Sequence, residues 1–153
     1  MKKYSIFLLA AAALVCSCAT DMDPFQGGDG IRANVNGRKC VMFDDVNTSY
    51  SYSNHGDTCH FSCSANMRLG TGEDLTFSID MESYPPFVEG KPYAIGDGAN
   101  SAYLKQYQSD QAPVLKGWLK FLKAPSESGL VEARFELENA DYSVRHGFLR
   151  LYR

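Results

Sequence analysis

Much that would mark a specialised chain is missing from these 153 residues. Lysine and arginine number 15 against 18 acids, a formal charge of −3. That balance excludes a strongly basic nucleic-acid binder. Thirteen glycines and six prolines are too few for a collagen or a low-complexity tail. The apolar run at residues 6–15 (IFLLAAAALV) has half the about 20 residues needed to span a bilayer as a helix. No repeat of 20–50 residues and no long helical pattern occurs. Histidine is limited to His55, His60 and His146, none in a catalytic motif, and no G-x-S-x-G elbow is present. About 130 residues remain for one domain, enough to bury a sizeable core.

The N-terminus is an address. Lys2 and Lys3 precede the apolar run, and small and then acidic residues follow it. This is the layout of a secretory signal. Val15-Cys16-Ser17-Cys18 resembles a bacterial lipobox, with an apolar residue three places before Cys18 and a small residue directly before it. Resemblance to bacterial lipoproteins implies cleavage before Cys18 and acylation of it. Each buried methylene contributes about 0.8 kcal/mol, so stable anchoring takes more than one acyl chain. Loss of Lys2 and Lys3 takes the formal charge to −5, so the acyl anchor rather than a basic patch holds the chain at the membrane. Residues 1–17 therefore read as signal peptide, 18–30 as acylated cysteine and tether, and 31–153 as one domain. The tether (ATDMDPFQGGDG) spans roughly 20 Å as a flexible coil. Its Asp21 and Asp23 resemble a surface-export signal.

The body alternates with a period of two. Leu75, Phe77, Ile79 and Met81 interleave with Thr76, Ser78 and Asp80. Val131, Ala133, Phe135 and Leu137 interleave with Glu132, Arg134 and Glu136. Both predict half-buried strands. Asn36-Gly37 between residues 31–35 and 38–43 predicts a tight hairpin. Further strands are expected over 46–53, after a turn at Asp44-Asp45, and over 58–65 and 92–95. Residues 102–108 read as a strand or a helical turn. Segments 114–122, 130–137 and 143–152 are expected to form a meander carrying much of the core. The fold class is all-β, a single antiparallel sandwich or partly open barrel of about eight strands. The layout is similar to that of small lipoproteins of Bacteroides-like bacteria, with lipobox, short tether, an opening Ala33-Asn34-Val35-Asn36-Gly37-Arg38 strand and turn, and a β-rich C-terminal part. No catalytic motif comes with that resemblance.

Cysteine offers the first candidate chemistry. Without Cys16 and Cys18, three remain: Cys40, Cys59 and Cys63. Cys59 and Cys63 lie about 13 Å apart in a strand, so a disulfide would join Cys40 to Cys59 or Cys63. In a simple meander Cys40 is two strands from Cys63, too far to bridge. Buried free thiols are the other reading. The same residues with His60 are soft metal donors, but the spacing is not that of paired ligands, and an extended chain turns His60 away from both cysteines. No metal site and no cofactor are expected. Asp44-Asp45 and Asp97-Gly98-Ala99-Asn100 read as turns, and no catalytic residue is assigned. Tyrosine is the best binding signal: Tyr50 and Tyr52 on one polar strand, with Tyr103 and Tyr107 near loops, suit a glycan or an envelope protein. The function expected is a binding module lipid-anchored at the outer membrane, with partners limited to the membrane, a glycan or an envelope protein. The alternatives are a structural subunit of a surface assembly and, behind it, a hydrolase.

Overall fold

The computed structural model describes residues 29–107, 109–110, 113–126 and 129–152, with the backbone alone over 43–50. The signal segment, Cys18 and the tether before Asp29 lie outside the described residues. Among the described residues nine strands follow in order: β1 (Gly30–Val35), β2 (Arg38–His55), β3 (Thr58–Leu69), β4 (Asp74–Ser83), β5 (Pro92–Ile95), β6 (Ser101–Gln106), β7 (Lys116–Lys123), β8 (Val131–Glu138) and β9 (Ser143–Leu151). They form one antiparallel sheet ordered β5-β7-β8-β9-β1-β2-β3-β4-β6. A bridge between Tyr103 and Val114, with the Leu115 amide donating to the Ala102 carbonyl at 2.8 Å, draws β6 toward the start of β7. The sheet is thereby nearly closed into a barrel. Nine strands and the short Val114 pairing stand where about eight were expected. Within the 102–108 segment, residues 102–106 lie in β6 and form strand rather than a helical turn, and Tyr107 follows in a turn.

Two meanders make most of the wall, β1–β4 and β7–β9, joined where β9 pairs with β1. Asn36 and Gly37 carry φ values of 50° and 77°, so the first hairpin closes on the turn its sequence predicts. The strands at residues 75–81 and 131–137 pair as their alternation requires. Every second residue enters the core, including Leu75, Phe77, Ile79 and Met81 from β4 and Val131, Ala133, Phe135 and Leu137 from β8.

One turn is corrected. No turn falls at Asp44-Asp45, because β2 runs unbroken through it. Its register with β3 slips there: Met42 faces Met67 and Ser49 faces Ser64. Seven steps on β2 thus match three on β3, and the surplus is absorbed as a bulge. A second bulge lies in β9, where His146 has a φ of 53° and the register shifts between Arg145 and Phe148. Gly117 marks a close approach of β7 to β8, since a Cβ there would fall 2.1 Å from the Glu136 carbonyl oxygen.

The strands alternate direction, which sorts their ends into two rims. The near rim holds Gly30, the His55–Asp57 turn, the 84–91 segment, the β7–β8 connection and Tyr152. The far rim holds the Asn36-Gly37 turn, residues 70–73, Tyr107 and the 139–142 turn.

Candidate functional site

Inward-facing side chains fill the barrel. Phe77 and Phe135 stack at 5.2 Å between ring centroids, and Phe61 meets Phe121 edge-on at 5.4 Å. Phe87, from the 84–91 segment, packs on Phe121 at 5.0 Å at the near rim. Small residues such as Ala33, Ala65 and Ala133 complete the interior. Among the described residues the inward faces are almost wholly apolar, and the polar side chains lie on the outer face and the rims.

Of the two readings of the cysteines, a bridge from Cys40 to Cys59 or Cys63 and buried free thiols, the structure has the second: Cys40, Cys59 and Cys63 are free and buried. Cys40 faces Leu69, six positions along β3 from Cys63 and ten from Cys59. At about 3.3 Å per residue these offsets are about 20 and 33 Å, far beyond the roughly 7 Å a bridge tolerates. Burial pushes the thiols of Cys40 and Cys63 up to about 12. The Glu73 carboxylate adds to the effect at Cys40, and a backbone hydrogen bond from Ile79 partly opposes it at Cys63. Neither is a nucleophile near neutrality. His60 points outward while Cys59 and Cys63 point inward, so these residues diverge. Among the described residues no three His, Cys, Asp or Glu side chains converge as metal ligands.

The four candidate tyrosines are dispersed. Tyr52 lies opposite Phe61, half-buried against the core, with its hydroxyl 3.4 Å from the Cys59 sulfur. Its ring thus faces the side of the sheet opposite to that of Tyr103. Tyr50 lies opposite Cys63, and its side chain is outside those described. Tyr103 is on the outer face of β6, opposite Ser78. Tyr107 follows β6 at the far rim, 47% exposed, its amide donating to the Asp74 carbonyl.

Around Tyr103 the outer face of β2, β3, β4 and β6 carries small hydroxyl side chains in register. One row runs Ser51–Ser62–Asp80–Ser101, with the two serine hydroxyls hydrogen-bonded. The next contains Ser64, Ser78 and Tyr103. A third runs Ser53–His60–Glu82, in which His60 Nδ1 is 3.7 Å from Glu82 Oε2. Rows two residues apart lie about 7 Å from each other and strands about 4.8 Å, so the patch measures roughly 14 Å each way. Turn positions at His55-Gly56 and Gly70–Glu73 set this alignment; the alternation alone told only which side chains face out.

The Ser53–His60–Glu82 row has the residue types of a hydrolytic triad. No hydrogen bond joins Ser53 to His60, both His60 and Glu82 are about half exposed, and the row lies on the outside of the barrel wall. Triad catalysis needs a hydrogen-bonded nucleophile and a preorganised oxyanion site. The row does not supply the first, and it presents polar donors and acceptors on the wall. His55 is exposed in its turn and His146 is exposed in the β9 bulge. Asp97 and Asn100 belong to the β5–β6 connection, where the Asn100 side chain bonds Glu82 and Ala94 backbone groups.

A shallow cleft of about 280 Å³ sits beside the chain's entry to β1, lined by Asp29, Gly30, Ile31, Arg32, Lys39, Val41 and Met42. Elsewhere the outer wall carries ion pairs. Arg68 forms a two-pronged bond with Asp74, and this hydrogen bond holds the Asp74 carboxyl below the usual carboxylate range. Glu132 pairs with Arg150, and Glu136 and Glu138 with Arg145. Among the described residues no helix is long and apolar enough to cross a membrane.

No protein-family model matches this chain, and neither the curated proteins nor the solved structures contain a match to it.

Proposed function

We propose that this chain is a lipoprotein of the bacterial cell envelope, cleaved before Cys18, acylated there and held at the outer membrane, with its barrel serving as a glycan-binding module. The observation that supports the binding assignment is the set of polar side chains aligned in register around Tyr103 on the outer wall. On that wall the Tyr103 face supplies hydroxyls, one imidazole and two carboxylates on short side chains. Short polar groups let a sugar approach the sheet closely, exchange hydroxyl hydrogen bonds with it and lie against the Tyr103 ring. The lipobox supports the anchor, and the acidic mature chain supports an acyl rather than electrostatic attachment.

Two measurements test this. Mass spectrometry of the N-terminus in a bacterial host is expected to find an acylated Cys18. A cut elsewhere, or an unmodified Cys18, refutes the anchor. A glycan array probed with the full chain and with Tyr103→Ala is expected to show binding that falls about tenfold in the variant, equivalent to about 1.4 kcal/mol. Equal binding by both chains, or capture of an envelope protein with no glycan bound, removes the glycan reading.

A further inference from the structure

The near rim carries three exposed large apolar side chains, two on the 84–91 segment and one at the end of β9. Tyr84 is 72% exposed, Val88 50% and Tyr152 54%. Pro85 and Pro86, between the first two, are also exposed. The segment is fixed rather than loose. Phe87 is buried against Tyr93 and Phe121, the Val88 amide donates to the Tyr93 hydroxyl at 2.7 Å, and the Ser83 hydroxyl donates to the Pro85 carbonyl at 2.7 Å. Anchoring Phe87 inward obliges its neighbours Pro86 and Val88 to face out. Tyr152 reaches the same rim from β9, whose Arg150 pairs with Gly30.

Gly30 is where the chain enters the barrel, and eleven residues separate it from Cys18. A fully extended tether of that length reaches about 40 Å, and a flexible one averages nearer 20 Å. The rim that displays Tyr84, Val88 and Tyr152 is therefore the rim brought to the bilayer when Cys18 is acylated. Tyrosine is suited to that boundary, with its ring among acyl chains and its hydroxyl among headgroups. The charged groups at this rim, Asp29, Asp57 and Glu89 against Lys91 and Lys123, come to a net charge of −1, a small repulsion from a lipid surface that salt screens.

We infer that the near rim is a membrane-docking surface, seating Tyr84, Val88 and Tyr152 in the lipid interface and directing the Asn36-Gly37 and 139–142 turns away from it. This rests on the lipoprotein reading above. The occupant is the bilayer of the membrane that holds the anchor. Contact at the rim restricts tumbling and holds the Tyr103 wall roughly upright, facing sideways along the membrane.

The test uses the acylated full chain in vesicles of phosphatidylethanolamine and phosphatidylglycerol. Nitroxide labels are placed singly through Tyr84→Cys, Val88→Cys and Tyr152→Cys, and at the far rim through Tyr107→Cys and Val114→Cys. Tyr107 and Val114 have comparable exposure, 47% and 45%, and so control for it. The buried native thiols take up no label. The near-rim labels are expected to collide several-fold more with dissolved oxygen, relative to a water-soluble nickel reagent, than the far-rim labels. Equal ratios at the two rims overturn docking while leaving the anchor intact. Shielding of the near-rim labels from both reagents indicates a protein contact there and also overturns it. A chain that fails to float with the vesicles overturns the anchor and the docking together.

Discussion

Gly147 lies directly beneath the ring of Phe135. A Cβ at Gly147 would fall 2.3 Å from Cδ2 and Cε2 of that ring, which is itself stacked on Phe77 within 14° of parallel. The glycine is required by space, where β9 crosses the widest side chain of β8. Gly147→Ala is expected to destabilise the barrel by about 1–3 kcal/mol through overpacking. Phe135→Leu in the same chain should return part of that loss. Urea unfolding of the two single variants and the double variant measures the coupling, and additive losses would show that the ring does not confine position 147.

Asn36 clasps two turns at the far rim. Its side-chain amide donates to the Asp141 carbonyl at 3.0 Å and accepts from the Ser143 amide at 2.7 Å, and its backbone holds a φ of 50°. Asn36→Ala removes both bonds and places an unsuited residue in the left-handed region. The expected loss is about 2–3 kcal/mol. Asn36→Gly removes the bonds but keeps the conformation, so its loss should be smaller by about 1 kcal/mol. Equal losses in a urea titration would assign the whole effect to the hydrogen bonds.

The strands with clean alternation were legible because one face is buried and the other wet. Leu75–Met81 and Val131–Leu137 place every alternate apolar residue in the core, and Asn36-Gly37 closes its hairpin by its own φ preference. Asp44-Asp45 misled because paired acids favour turns, whereas the chain absorbs surplus residues there as a bulge inside β2. The cysteine geometry followed that error. A turn at 44–45 would bring Cys40 within two strands of Cys63, while the continuous β2 carries it to the other end of β3. The face that Tyr52 takes is not legible in its strand, which is polar on both sides, because polarity alone does not reveal that Phe61 stands opposite. The Ser53–His60–Glu82 alignment was implicit in turn positions but needed both registers at once. The exposure of Tyr84 and Val88 depends on Phe87 being buried, a tertiary fact without a local signal.

The buried thiols predict a pH dependence. Cys40 and Cys63 are raised from 9.0 to about 12 by burial. A proton held more tightly in the folded than in the unfolded chain stabilises the fold fully below pH 9. The contribution is lost as pH rises from about 9 toward 12. Stability by urea unfolding should therefore fall more steeply above pH 9 for the native chain than for Cys63→Ala, since lysines and tyrosines titrate equally in both. At pH 8 a disulfide reagent should label none of the three buried thiols in the folded chain and all three in urea. Rapid labelling without denaturant would contradict the burial.

β9 joins the two meanders, and the integrity of the barrel turns on it. It pairs with β8 along one edge and β1 along the other, and it places Val144, Leu149 and Leu151 in the core. Its removal would leave two sheets joined through the short Tyr103–Val114 pairing, each with an open edge, and uncover Ile31, Val35 and Ala133 together. Each fully buried aliphatic side chain contributes roughly 1.5–3 kcal/mol, so losing three from β9 alone approaches the whole stability of a typical domain, about 5–15 kcal/mol. Deletion of residues 143–153 is thus expected to abolish cooperative thermal unfolding and the near-ultraviolet dichroism of the packed aromatic rings. Adding a peptide of residues 139–153 in trans should restore both, because the vacant slot is flanked by two strands already carrying complementary registers. A truncated chain that melts cooperatively by itself would mean that β1 and β8 close on each other directly, and that β9 is an addition to the barrel rather than part of its wall.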